Sequence, residues 1–345
     1  MRKQLLALAI GSMVIAPSVA MADKGPTVYG KVNVSYENQD SGADDQWELE
    51  SNASRLGVKG ELDLDINNVV AIYQAEFQIA VDDGDNSGQT FSQRNIFGGL
   101  KHSQFGTLKA GKFDTPFKVS QGKVDQFGDL RGDINEIVGG SERVSNIIQY
   151  STPKLAEMVT LNLAMIPGEG ETVESEATGL ESDRRDGVAD GFSTSIVFDN
   201  GMLYASLGYD SEVETNLYDM GDGDTLVDAL HLAAKLNIEN FEVGALIQQS
   251  ENSDSAVDGG DFEDTTYILS AAVNLDRWKL KAQYGMTDLD ASDDDLTLMA
   301  LGADYKVGKN SKMFGYFAQV EADKNTGLAT DDTTFGIGFE HNFSM

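Results

Sequence analysis

Hydrophobic residues recur on every second position in segment after segment of this chain. In the last segment Phe335, Ile337, Phe339, His341 and Phe343 take the odd positions, while Gly336, Gly338, Glu340 and Asn342 take the even ones. A period of two is that of a β-strand, whose successive side chains leave on opposite faces. The alternation predicts sixteen strands, at 27–37, 54–64, 68–80, 90–102, 106–114, 143–152, 157–166, 191–199, 201–210, 224–237, 240–251, 262–276, 277–288, 294–307, 311–321 and 332–343. Their lengths lie near the ~9–11 residues with which a tilted strand crosses a bilayer.

The connections alternate between short and long. Short ones such as Asp199-Asn200-Gly201, Leu275-Asp276-Arg277 and Gly308-Lys309-Asn310 carry the residues that tolerate tight hairpin geometry. The long ones lie near 38–53, 82–89, 114–142, 167–190, 210–224, 251–264, 288–295 and 321–332. They hold 43 of the 57 acidic residues but only 6 of the 25 basic ones. A soluble sandwich has no reason to sort loop length and charge to opposite ends. A barrel whose two ends face different compartments has one.

Parity within the segments says which face is which. Trp278, Leu280, Ala282, Tyr284 and Met286 oppose Arg277, Lys279, Lys281 and Gln283. Leu56, Val58, Leu62 and Leu64 oppose Arg55, Lys59 and Glu61, and Val159, Leu161, Leu163 and Met165 oppose Thr160 and Asn162. So much charge on one wall of so many strands does not suit a dry core. It suits apolar side chains on hydrocarbon and polar ones on a wet lumen. Closure also pairs every backbone amide, which lipid demands. The predicted fold is therefore all-β, a transmembrane 16-stranded antiparallel barrel. That size leaves an aqueous channel rather than a filled interior.

Composition refines this picture. Arg2 and Lys3 precede an apolar run from Leu5 to Ile15 and the small-residue site Ala20-Met21-Ala22. That is the pattern of a secretory signal peptide over 1–22 with cleavage after Ala22, so that 23–345 forms the barrel. There is no cysteine, so no disulfide holds the exported chain together. Without the leader, 23 basic residues stand against 57 acidic ones, a net charge of −34. Nucleic acid is excluded as a partner, because phosphate binding needs basic patches.

Chemistry of other kinds finds little support. The histidines are His102, His231 and His341, on distant segments, with no GxSxG and no Cys. An enzyme is not expected. Asp83-x-Asp85-x-Ser87-Gly88 approaches a calcium loop, but its twelfth position is Arg94 where a bidentate Glu is needed. Runs such as Asp293-Asp294-Asp295 offer hard oxygen ligands for divalent ions bridging to anionic lipopolysaccharide, or are simply solvated, mutually repelling loops. A secreted acidic β protein, adhesive or calcium-binding, accounts for the charge but not for the sorting of the connections. No cofactor is implied.

The connection 114–142 is unlike its neighbours. It runs 29 residues, includes Lys118, Lys123 and Arg131, and carries Phe117, Phe127, Ile134 and Val138. A loop so long is usually functional or disordered. Its apolar residues predict that it packs against something, and in a wide barrel it can fold inward and narrow the channel.

Several stretches resemble the trimeric general porins of Gram-negative outer membranes. TVYGKVNVSYE (27–37) looks like their first strand and SRLGVKGELDL (54–64) like their second-strand signature. QRNIFGGLKHSQFGTLKAGKFDTPF (93–117) is similar to the segment leading into their constricting third loop, and ERVSNIIQYSTPKL (142–155) to the exit from it. The order and spacing of these stretches carry the resemblance, which spans the mature chain and is sharpest before residue 155. It implies an outer-membrane homotrimer that passes small hydrophilic solutes and ions. It also implies a constriction with basic side chains on the wall opposite acidic ones on the third loop. By motif the bases are Lys31, Arg55, Arg94, Lys112 and Arg143, and parity independently turns Lys31 and Arg55 inward. The acids Asp125, Asp129 and Asp133 are candidates by location, because the family's Pro-Glu-Phe-Gly-Gly stretch is replaced by Gln126-Phe127-Gly128-Asp129. A second departure is that Ser344 and Met345 follow the terminal aromatic Phe343. Lys279 and Lys281 read as ordinary lumen polarity. The loop charge predicts a preference for cations. Whether the channel is general or specific for one solute stays open.

Overall fold

The structure, a computed structural model, describes residues 25–42, 45–82, 90–169, 171–174, 181–215, 225–253, 263–290, 294–323 and 330–345. The expected signal peptide, the calcium-like loop from Asp83 and the start of the 293–295 run lie outside them.

The strands in chain order begin with β1 (Thr27–Asp40), β2 (Asp45–Ser51), β3 (Arg55–Asp63), β4 (Val69–Ile79), β5 (Phe91–His102) and β6 (Gly106–Asp114). A short helix, α1 (Pro116–Ser120), and a 3-10 turn (Ile134–Glu136) follow. Then come β7 (Arg143–Ser151), β8 (Val159–Ile166), β9 (Glu171–Glu174), β10 (Glu181–Arg185), β11 (Gly191–Asp199) and β12 (Leu203–Thr215). The last seven are β13 (Thr225–Ile238), β14 (Phe241–Asn252), β15 (Glu263–Leu275), β16 (Trp278–Leu289), β17 (Asp294–Lys306), β18 (Ser311–Asp323) and β19 (Thr330–Ser344).

Each strand is antiparallel to its neighbours, and the sheet closes where β1 pairs with β19 from Tyr29↔Ser344 to Asp40↔Thr333. On its other edge β1 meets two partners. Thr27–Lys31 pair with β3, and Val34–Asp40 pair with β2. β2 and β3 thus share one of sixteen positions round the barrel, broken at Asn52–Ser54. Ala53 takes a φ of 47° there, and Ser54 Oγ receives the Asn33 amide at 2.9 Å.

Two connections expected to be irregular contain strand. β2 lies within 38–53, where β1 continues beyond residue 37 and its amides need a partner. The alternation Gln46, Glu48, Glu50 against Trp47, Leu49 supplies one. β9 and β10 form a separate two-stranded hairpin within 167–190.

The outer surface is apolar. Ile337 is 55% exposed and Leu269 61%, whereas Lys281 and Gln283, of opposite parity, are 6% and 3%. Tyr36 stacks on Trp47 (5.0 Å) near the long-connection end, and Trp278 meets Tyr305 at a tilt (4.8 Å) near the short-turn end. Such pairs suit the two interfaces of an apolar band. The chain end stays in the ladder. The Met345 amide donates to the Val28 carbonyl at 2.8 Å, and the Met345 carbonyl receives the Val28 amide at 3.2 Å.

Simple alternation is corrected on one side of the barrel. Ala233, Leu246, Ile268, Leu298, Ala300 and Phe314 are apolar yet share the inward parity, and all are buried. They pack against Val124, Phe127, Leu130, Ile134, Ile137 and Val138 of the 115–142 segment. That segment touches β11 through Ser193, β14 through Gln248, β16 through Gln283 and Thr287, and β1 and β3 through Asp129. A single segment that meets the inward parity of strands all round a closed barrel runs inside it.

Candidate functional site

Local sequence sets the path of the inner segment. Thr115 caps α1 by accepting the Lys118 amide at 3.1 Å, and Pro116 starts the helix where a missing N–H costs nothing. The helix ends into Gly122, at φ 67°, where a Cβ would lie 2.4 Å from the Tyr204 ring. Phe117, fully buried, lies 4.2 Å from the ring of His231, whose Nε2 is 2.9 Å from Ser120 Oγ. The Tyr204 hydroxyl donates to the Ser120 carbonyl at 2.9 Å. Further on, Lys281 donates to the Gln126 carbonyl at 2.9 Å and sits 4.4 Å from the Phe127 ring. Gln283 receives the Gln126 amide at 2.9 Å and donates to the Gly132 carbonyl at 3.0 Å. Lys281, read from sequence as general polarity, is thus one of the tethers that hold the segment in place.

The tethered segment brings Asp129 against the opposite wall. Its carboxylate receives the Lys31 ammonium and the Arg55 guanidinium, the latter at 3.1 Å. Burial would push the Asp129 carboxyl up, but the two cations outweigh it and hold the group below its ordinary value. Arg94 stands beside this pair and donates to Glu76 at 3.0 Å and to Gln78 at 2.9 Å. Glu76 also receives the Tyr29 hydroxyl at 2.8 Å and lies 4.0 Å from Arg55. Arg143 pairs with Asp114 at 2.8 Å, and Lys118 approaches the same carboxylate at 3.8 Å.

Of the eight residues expected at a constriction, then, Lys31, Arg55, Arg94 and Asp129 come together, and Arg143 stands nearby with its own acid. Lys112 does not join them. It lines a crevice of about 340 Å³ with Glu142, Asn146, Glu169, Arg185 and Glu212, beyond a register shift between Gly111 and Phe113. Asp125 and Asp133 are turned into the segment itself. Asp125 receives the Phe127 amide at 2.8 Å, and Asp133 receives those of Asp129 and Asn135, both at 2.9 Å. Burial, and then the neighbouring Asp133, push the Asp125 carboxyl well above its ordinary value. Asp133 is raised by burial too, with Asp129 adding to it. These two shape the turn that presents Asp129, whose own φ is 67°.

Sequence reasoning missed the acids on the wall itself. Glu76, Asp114 and Glu37 interleave with the bases, and Arg131 lies 3.9 Å from Glu37 and 3.5 Å from Glu50. Glu76 stands on the polar parity of its strand between Gln74 and Gln78, and that was the available signal. The cluster is consequently a lattice of paired charges, three bases (Lys31, Arg55, Arg94) against two acids (Glu76, Asp129), rather than two separate walls of one sign. A crevice of about 270 Å³ opens above it between Glu50, Asn52, Asp129, Arg131 and Glu136.

Nothing in this arrangement resembles a catalytic set. His102 Nδ1 receives the amides of Gln104 and Phe105, His341 lies between Phe339 and Phe343, and His231 holds α1. Among the described residues no cluster of His, Asp and Glu has the geometry to hold a metal ion.

A model of the Gram-negative porin family matches residues 7–326 of this chain. The outer membrane porin protein 32 of Delftia acidovorans is 28% identical over 92% of this chain and 89% of its own length. Among solved structures, the anion-selective porin from Comamonas acidovorans superposes with a TM-score of 0.77 at 23% identity, covering 92% of this chain and 99% of that one. The trimer form of OmpT, an outer membrane protein of Vibrio cholerae, gives a TM-score of 0.62 at 16% identity, with coverage of 92% and 99%.

Proposed function

This chain belongs to the Gram-negative porin family, outer-membrane diffusion channels and not enzymes, and on that premise we propose that solutes cross it through the neck formed by Lys31, Arg55, Arg94 and Asp129. The observation that carries this is the contact between Asp129 and the Lys31–Arg55 wall, because it ties the inner segment across the lumen. Small hydrophilic solutes and ions pass down their own gradients. Paired charges of both signs keep the neck wet, orient dipolar water and oppose apolar solutes. With most neck charges already paired, no single solute finds an unmet partner, which favours a general channel over a solute-specific one.

Ion preference on this reading is for cations. The long connections carry most of the chain's acid, and a negative mouth concentrates cations within the Debye length of about 8–10 Å. The structurally similar porin from Comamonas acidovorans is anion-selective, and at 23% identity that selectivity does not carry over to this chain. Reversal potentials in a potassium chloride gradient test the point, and an anion preference would reject it. A panel of neutral sugars, phosphates and amino acids in a liposome-swelling assay tests generality. Graded permeation by size is expected, and strong preference for one solute at equal size would favour the specific channel.

Assembly and export complete the proposal. The chain forms a homotrimer in the outer membrane with its apolar belt against lipid, as the trimer form of OmpT suggests. It is exported by a signal peptide cleaved after Ala22. Amino-terminal sequencing of membrane-extracted protein is expected to start at Asp23.

A further inference from the structure

Below the inner segment, toward the short turns, the lumen changes sign. Lys235 donates to Glu242 at 2.6 Å, and Lys279 reaches the same carboxylate at 3.2 Å. Lys123 is brought over this pair by the seating of Val124. The Val124 carbonyl receives the Ser270 hydroxyl, and its Cα lies only 3.1 Å from where a Cβ on Gly244 would be. Gly244 is the register partner of Lys235. Burial, and then the repulsion of Lys235, lower the Lys123 ammonium from its ordinary value. Lys235 and Lys279 thus share the Glu242 carboxylate, and Lys123 feels both ammonium groups together with the Asp199 and Glu242 carboxylates. On the facing wall Lys59, Lys101 and Lys109 share the inward parity against Glu61, which pairs with Lys101 at 2.9 Å. Lys281 and Lys312 are balanced by Asp304 and Glu340. On the inner side six ammonium groups thus meet four carboxylates, Glu242 and Glu61 with Asp199 and Asp63 of the same inward parity.

The other side of the neck has the opposite balance. Glu37, Glu50, Asp114, Glu136, Glu142 and Asp264 stand there against Lys112, Lys118, Arg131 and Arg143, before the acid of the outer connections is counted.

We propose that the channel is bipolar, with an inner vestibule centred on Lys123, Lys235 and Lys279 that admits anions, in series with an outer mouth that admits cations, and that it therefore rectifies ionic current. The inference rests on the channel reading above. Its physics follows from the order of the two charges. A positive potential on the outer side drives cations inward through the acidic mouth and anions outward through the basic vestibule, so both accumulate at the neck and conductance rises. A negative outer potential draws each ion away from the neck, which is depleted. The device needs a Debye length comparable to the pore radius and fades in concentrated salt.

The test is the current–voltage curve of the purified trimer in a planar bilayer with potassium chloride on both sides. The chain has no cysteine, so Lys309→Cys in a short turn, blocked by an impermeant thiol reagent from one side, reports the orientation. At about 0.1 M salt, conductance with the outer side positive is expected to exceed that with it negative by about twofold, falling toward unity at about 1 M. Lys123→Gln with Lys279→Gln is expected to abolish most of the asymmetry, and Asp129→Asn to leave its direction unchanged. A symmetric wild-type curve at the lower salt, or rectification of the opposite sense, overturns the inference even if the double variant fails to assemble. Absence of conductance at every salt concentration overturns the channel reading instead.

Discussion

Replacing Asp129 by Asn removes one charge from the neck and almost nothing else. The side chain keeps its size and its turn, while Lys31 and Arg55 lose the carboxylate that both now contact. A permeating ion passes roughly 5 Å from that carboxylate, where one unit charge in water contributes about 0.8 kcal/mol. Screening at about 0.1 M salt, with a Debye length near 10 Å, reduces this to about 0.5 kcal/mol. Each ion's local concentration then changes about twofold, down for cations and up for anions, and the permeability ratio changes about fivefold. In a tenfold potassium chloride gradient a change of that size moves the reversal potential toward anions by on the order of 30 mV. The assay is the zero-current potential of wild type and variant in planar bilayers. At about 1 M salt the Debye length is near 3 Å and the shift is expected to shrink severalfold, whereas a change caused by a displaced loop would persist. A shift of less than about 5 mV at the lower salt, or one toward cations, refutes the placement of Asp129 in the ion path.

Arg55→Ala combined with Arg94→Ala is expected to widen the neck and strengthen cation preference, read as larger single-channel conductance with a reversal potential moved the other way. Unchanged conductance and selectivity would reject the filter role. Phe127→Ala empties the contact with Leu130, Ala300, Phe314 and Tyr316 and is expected to loosen the inner segment by about 3–5 kcal/mol. That should appear as larger, noisier single-channel currents, while a quiet trace of wild-type size would show that the hydrogen bonds alone hold the segment. Asp125→Asn tests the raised carboxyl in the turn. A carboxyl whose folded pKa lies above its unfolded one of about 3.9 costs stability above the folded value, and that cost disappears as pH falls through it. The variant is therefore expected to raise the unfolding midpoint on heat-modifiable gels at neutral pH, with the gain vanishing near pH 4. A gain that is the same at both pH values would contradict the assignment. Asp129, held low by Lys31 and Arg55, behaves oppositely: its contribution is present above the unfolded pKa and lost only as pH falls through the lower folded value.

The strands were legible because their information is local. The alternating segments 106–114 and 191–199 coincide with β6 and β11 to the residue. Where the limits differ, as in 201–210 against Leu203–Thr215, the strand runs on past the apolar alternation into acidic residues that no lipid contacts. β2 is obscured for the same reason, because its acidic positions resemble loop although Trp47 and Leu49 alternate with them. In the candidate site, Lys31 and Arg55 could be read inward by parity alone. Which of Asp125, Asp129 and Asp133 meets them could not, since the three have one chemistry and lie within nine residues of each other. The turn geometry that sends two of them to backbone amides decides it.

By itself the sequence determined which residues face hydrocarbon and which face solvent, how many strands close the sheet, and which end bears the acid. Each of these is a property of neighbouring positions along one strand or turn. The tertiary structure alone decided the pairing across the lumen: Asp129 with Lys31, Lys281 with the Gln126 carbonyl, and an apolar patch on the inner wall where polar residues belonged. Those contacts join groups far apart in the chain, 155 residues in the case of Lys281 and Gln126. They exist only because the inner segment buries Val124, Phe127, Ile134 and Ile137 against that patch, and this long-range burial leaves no period in the chain to read.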